Sequence, residues 1–266
     1  MVAPLLFGWA LIAITTTTSY ALPAQNKVDC VNYKTDFSVT TQGWIADHTF
    51  QDTYDMTSDK GIEMKLMPPT RYVRMHDQQN LPYNQYEGSG PTFNASTYMH
   101  YGRVSATIQS ANVGGAIAAV ILIADGGDEI DFELLGGDPN HVQTNYFWGH
   151  EVLYTVNGGF HEVPGGAVYD SLHTYTIDWS PERIQWFVDG KLVRTRERKD
   201  TCDASGVCKF PSEPARIQIG LWDGSIESGT AQWSRGPIDW TAHDSISAYI
   251  KSIESECNPE YNNIIG

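Results

Sequence analysis

The sequence predicts an all-β chain folded as an antiparallel two-sheet sandwich of jelly-roll type. Strand-length segments recur at intervals of about ten residues, with turn residues between them. No long segment repeats its apolar residues at the 3.6 spacing of a helix. From Glu129 to Leu134 acidic and apolar residues alternate strictly, which is the period of a strand with one wet face and one buried face.

In chain order, residues 28–44 form a short lead-in carrying Phe37 and Trp44. Residues 61–66 read as a strand. Residues 67–92 are loop-rich, because Pro68, Pro69, Pro82 and the Gly88-Ser89-Gly90-Pro91 turn break regular structure. Residues 101–109 alternate and predict a strand. Residues 116–124 are an apolar run of strand length, suited to the centre of a sheet. Asp125-Gly126-Gly127 ends it, the acidic strand follows, and Gly136-Gly137-Asp138-Pro139 turns the chain. Residues 141–148 and 173–179 are further strands. Residues 183–188 and 191–196 flank Asp189-Gly190, the signature of a hairpin with a type I′ turn. Residues 215–222 and 245–255 complete the set.

The chain has 266 residues, 41% hydrophobic and 18% charged, with no internal repeat or linker, so one domain over residues 22–266 is expected. The formal net charge is −15. That excludes a nucleic-acid partner, which needs a basic footprint, and an anionic membrane surface. A neutral polymer is compatible with it. Residues 1–21 read as a secretory signal peptide, an apolar stretch ending at small residues, although no Lys or Arg precedes it. It is short for a transmembrane span, and the C-terminus carries no hydrophobic tail of the GPI kind. A secreted chain is therefore expected. Its four cysteines suit two disulfides. Three pairings are possible. The short loop between Cys202 and Cys208 favours pairing those two, leaving Cys30 and Cys257 to join the chain ends. Asn94-Ala95-Ser96 is a glycosylation sequon, with Asn94 the acceptor.

The acidic strand carries the chemistry. Glu129, Asp131 and Glu133 share one face, where like charges repel, so stability alone disfavours them. With ~3.3 Å per residue, and each side chain leaning inward, the two glutamate carboxyls come roughly 5–7 Å apart, nearer the ~5–5.5 Å of a retaining glycosidase than most of the inverting range. Ca²⁺ binding by three carboxylates and a solvated acidic face are the competing readings.

Glu129-Ile130-Asp131-Phe132-Glu133 resembles the E-x-D-x-E catalytic strand of glycoside hydrolase family 16. Residues 138–149, 173–179, 186–190 and 216–222 resemble later blocks of that family in the same order. The combination of Val-Gln-Thr-Asn-Tyr-Phe, His-Thr-Tyr-Thr-Ile-Asp-Trp and Arg-Ile-Gln-Ile-Gly-Leu-Trp is most similar to the Crh-like fungal cell-wall transglycosylases. The resemblance implies a curved jelly roll with a carbohydrate cleft on its concave face, and a retaining enzyme of the cell wall that joins chitin to β-1,3- or β-1,6-glucan. It implies Glu129 as nucleophile, Glu133 as proton donor and later base, and Asp131 as their assistant, with no metal and no cofactor. It implies substrate contacts at Gln143, Asn145, Trp179 and Trp222; Trp233 and Trp240, in the Gly/Pro-containing segment 232–240, are candidates for the acceptor side, and Tyr101 and Arg103 are weaker candidates. His173 reads as a structural histidine. Gly126-Gly127 stands where bacterial lichenases carry an aromatic, which implies open space beside the nucleophile. A monomer is expected. An endo-β-1,3(4)-glucanase and a non-catalytic jelly-roll lectin are the alternatives.

Overall fold

The structure is a computed structural model that describes residues 27–47, 52–151 and 156–265. The signal-peptide reading of residues 1–21 lies outside the described residues. The first strands are β1 (Val28–Cys30), β2 (Tyr33–Asp36), β3 (Trp44–Asp47), β4 (Tyr54–Thr57), β5 (Gly61–Leu66), β6 (Arg74–His76), β7 (Pro82–Asn84) and β8 (Thr92–Met99). The middle strands are β9 (Gly102–Gln109), β10 (Ala116–Ala124), β11 (Glu129–Leu135), β12 (His141–Phe147) and β13 (Gly159–Glu162). The last are β14 (His173–Trp179), β15 (Arg183–Val188), β16 (Lys191–Glu197), β17 (Ala215–Asp223), β18 (Ile246–Cys257) and β19 (Asn262–Ile264). One short helix, α1 (Ser228–Trp233), lies between β17 and β18.

Two sheets face each other. The first runs β13-β12-β11-β10-β17-β8-β3, and the second β16-β15-β14-β9-β18-β5-β4 with β2 on β18. All pairings within them are antiparallel. This is the two-sheet jelly-roll sandwich that the alternation predicts.

The apolar side chains explain the pairing. On β10, Ala116, Ala118, Val120, Leu122 and Ala124 enter the inter-sheet core. On β11, Ile130, Phe132 and Leu134 do the same. They meet Val104, Ala106 and Ile108 of β9, Tyr175 and Ile177 of β14 and Ile250 and Ile253 of β18. Burying each large side chain contributes about 1.5–3 kcal/mol. Because the side-chain period is 2, sending Phe132 inward sends Glu129, Asp131 and Glu133 to the opposite face.

Asp189 and Gly190 have φ of 49° and 77°, the left-handed pair of a type I′ turn, as the Asp-Gly signal predicts. The segment 67–92 holds a small hairpin, β6–β7, that the proline content obscures. Strand β13 and helix α1 are also short elements without a clear periodic signal. Both disulfides form as expected, Cys30–Cys257 and Cys202–Cys208. The first joins the two ends of the described chain, where β1 also pairs in parallel with β19.

Candidate active site

The outward face of the first sheet can be followed strand by strand through its register. Asp131 lies opposite Asn145 on one side and Ile121 on the other, and the row continues to Gln218, Asn94 and Ile45. Glu133 lies opposite Gln143 and Ala119, and Gln143 opposite Phe160. Glu129 lies opposite Phe147 and Ile123. One face therefore gathers the three carboxylates, the amides of Gln143, Asn145, Gln218 and Asn94, and aromatic rings.

The carboxylates perturb one another. Burial is the main cause of the raised pKa of Glu133, with the charge of Glu129 second, and together they push it up to about 7. Asp131 is 2% exposed, and burial, then Glu133 and Glu129, hold its carboxyl well above the usual range. Burial raises Glu129 too, but a hydrogen bond from Asp131 counteracts this. The arrangement keeps a proton on Asp131, donated toward Glu129, and so favours the charged form of Glu129. Asp131 Oδ1 is buried with no hydrogen-bond partner among the described residues, a cost of about 1–3 kcal/mol.

The opposite sheet holds this strand in place. Trp186 of β15, fully buried, donates its indole N–H to the Asp131 carbonyl at 3.1 Å. Arg194 of β16 lies over the Trp186 ring at 4.6 Å and donates to the carbonyl and hydroxyl of Thr144 at 3.0 and 2.8 Å. At the start of the strand, Asp128 accepts backbone N–H groups from Gly149, Ser212 and Glu213. The sequence signal for Asp128 is faint: it is an acidic residue just outside the alternation.

Seven of the expected site residues share this face: Glu129, Asp131, Glu133, Gln143, Asn145, Trp222 and Trp233. Trp222 and Trp233 stack with ring centroids 6.2 Å apart, and the Trp233 indole donates to Gln143 Oε1 at 2.7 Å. Phe147, Asn94, Gln218 and Phe160 also lie here, and the sequence reading assigned none of them to the cleft. Their parity was legible, but their neighbours depend on register.

Four expectations for substrate contact require correction. Trp179 is 2% exposed in the second sheet, packed against Tyr101 and donating to the Pro211 carbonyl. Tyr101 is 3% exposed, its ring among His100, Trp179 and Tyr261. Arg103 sits on β9 of the second sheet, paired with Asp178 at 3.1 Å and lying over Phe187. Trp240 is buried and donates to Asp223. All four belong to another layer or to the core, because alternation marks the buried side of a strand but not its sheet.

The sequon reading is corrected as well. Asn94 is buried on the cleft floor, accepting from Gln218 at 2.8 Å and donating to Asp47 at 3.2 Å, so a glycan has no room on it in the folded chain. Gly126 lines an open pocket with Tyr98, Asp125 and Glu213, and a Cβ there would meet only the carboxylate end of the flexible Glu213 side chain. His173 is a structural histidine, its Nδ1 2.7 Å from Asp189. No cluster of His, Cys, Asp or Glu with metal-holding geometry occurs among the described residues.

A jelly roll with a row of coupled carboxylates on an amide- and aromatic-lined face defines a carbohydrate-cleaving class of protein. The chain belongs to glycosyl hydrolases family 16, whose model matches residues 34–242. It is similar to Crh-like protein 2 of Aspergillus fumigatus, 39% identical over 177 residues, which are 65% of this chain and 40% of that protein. It is also similar to Crh-like protein UTR2 of Candida albicans, 32% identical over 212 residues, 74% of this chain and 44% of that one. The chain thus spans less than half the length of these relatives. The solved Crh5 transglycosylase in complex with NAG superposes with a TM-score of 0.72 at 27% identity, covering 88% of this chain and 87% of that one. A Bacillus licheniformis β-glucanase shares the fold, with a TM-score of 0.67 at 20% identity.

Proposed function

We propose that this chain is a retaining transglycosylase that cleaves chitin or a related β-glycan and transfers the fragment to a β-glucan acceptor, remodelling a fungal cell wall. The observation that carries the reading is the division of labour among three carboxylates on one strand face. Burial, with the charge of Glu129, pushes Glu133 up to about 7, while at Glu129 the Asp131 hydrogen bond opposes the burial that raises it.

Glu129 attacks the anomeric carbon, and Glu133 gives its proton to the departing glycosidic oxygen. The product is a glycosyl ester on Glu129 and an ionised Glu133. In the second step Glu133 takes the proton of an incoming hydroxyl, that oxygen attacks the anomeric carbon, and Glu129 leaves as carboxylate. Asp131 tracks the charge of Glu129, donating its hydrogen bond when Glu129 is ionised. Transfer exceeds hydrolysis when a sugar hydroxyl is held at Glu133 better than water is. The Trp222–Trp233 pair and Gln143 lie on the Glu133 side, where they suit that task.

The similarity to Crh-like proteins and to the Crh5 transglycosylase supports the transfer reading over plain hydrolysis. Incubation with chitin oligomers and a labelled laminari-oligosaccharide tests it. A hybrid product is expected; glucan fragments alone would make the protein an endo-β-1,3(4)-glucanase. Glu129→Gln is expected to abolish turnover while saccharide binding survives. Turnover retained in that variant would remove Glu129 from the nucleophile role, and saccharide binding with no turnover in the unaltered protein would leave a lectin.

A further inference from the structure

Phe160 stands on edge strand β13 with 60% of its surface exposed, an unusual place for a phenyl ring. Its register is informative. Phe160 lies directly opposite Gln143, and Gln143 directly opposite Glu133, so the three side chains share one row on one face. With adjacent strands ~4.8 Å apart, the Phe160 backbone is roughly 10 Å from the Glu133 strand. Gln143 between them is already tied to an aromatic neighbour, since its Oε1 accepts the Trp233 indole N–H. The exposed ring therefore continues the carboxylate-bearing face rather than forming an isolated surface patch.

We propose that Phe160 is an outer aromatic platform of the cleft that stacks a pyranose ring of the glycan on the acceptor side of Glu133. The inference rests on the transglycosylase reading above, and it names a specificity residue that the reading leaves out. The acceptor side follows from the chemistry: Glu133 is the group that meets both the departing and the incoming oxygen, and Phe160 occupies the row of Glu133, not that of Glu129. A neutral sugar follows from the ring, which offers an apolar face to the C–H face of a pyranose and no charge. The platform lies beyond Gln143, so it reaches a sugar unit further along the chain than the one that reacts. It should therefore favour long acceptors over short ones.

Binding of laminaribiose and laminarihexaose, measured by calorimetry on the Glu129→Gln protein, tests this without turnover. Adding Phe160→Ala is expected to weaken laminarihexaose about fivefold while leaving laminaribiose within about twofold, and Phe160→Trp is expected to restore the difference. An equal loss for both probes, or no loss for either, would overturn the proposal. Product analysis with the Glu129-intact protein separates this from the larger reading. Length-dependent binding through Phe160 with no transfer product would remove the transferase assignment alone. Transfer to laminarihexaose with binding indifferent to Phe160 would remove the platform alone.

Discussion

Asp131 is buried beside two other carboxylates, which is why its pKa and that of Glu133 rise. A carboxyl whose folded pKa is raised contributes its stability fully below the unfolded value and loses it as pH climbs through the folded value. The native protein should therefore weaken as pH rises through that range, more than an ordinary acidic surface explains. Asp131→Asn should relieve this: thermal melts should show its midpoint gaining on the native protein's from pH 4 toward pH 9. A midpoint difference that stays constant with pH would mean that Asp131 is not the source. Activity should follow Glu133. With its pKa at about 7, the alkaline limb of kcat/KM should fall near neutrality. Glu133→Gln should lower turnover by about 10²–10⁴-fold and abolish that limb. An unchanged alkaline limb in Glu133→Gln would assign the proton to another group. The identity of these three residues was legible in the sequence, because charges on alternate positions of a strand make no sense for stability. Their pKa order was not, since it depends on how deeply each carboxyl is buried.

At the scale of the element, the acidic strand is positioned by the sheet behind it. The indole N–H of Trp186 reaches through the core to the Asp131 carbonyl, and the Arg194 guanidinium caps the Trp186 ring and ties down Thr144. Trp186→Phe keeps a ring but removes the indole hydrogen bond to that carbonyl, at a cost of about 0.5–1.5 kcal/mol. Urea unfolding should show a loss of that size, and kcat should drop with little change in saccharide affinity, because the strand moves relative to the bound sugar. Full kcat with reduced stability would confine Trp186 to packing. The hairpin itself was readable from Asp189-Gly190, but its contact with β11 was not: 55 residues separate Trp186 from Asp131. The same limit explains the corrections at Trp179, Tyr101 and Arg103. Their strands alternate as cleanly as the catalytic one, and a period of 2 carries no label for which sheet a strand joins.

Over the whole molecule, the two ends of the described chain are fastened together. Cys30–Cys257 spans 227 residues, β1 pairs with β19, and Asn262 donates to the His100 carbonyl and accepts the His100 N–H. A loop this long makes the disulfide worth about 5 kcal/mol by unfolded-chain entropy, against about 2 kcal/mol for the Cys202–Cys208 loop. Replacing Cys30 and Cys257 together by serine should lower the thermal midpoint further than replacing Cys202 and Cys208; the reverse order would show that native-state strain or residual structure outweighs loop length. By itself the sequence determined the all-β class, the strand faces, the hairpin turn and the three carboxylates, because each depends on residues close in the chain, and it favoured one of three cysteine pairings. Only the tertiary structure decided which aromatics line the cleft, why Asn94 is sealed on its floor, and that Phe160 shares the row of Glu133. Those facts depend on register between strands far apart in sequence, and register is chosen by packing the whole core at once.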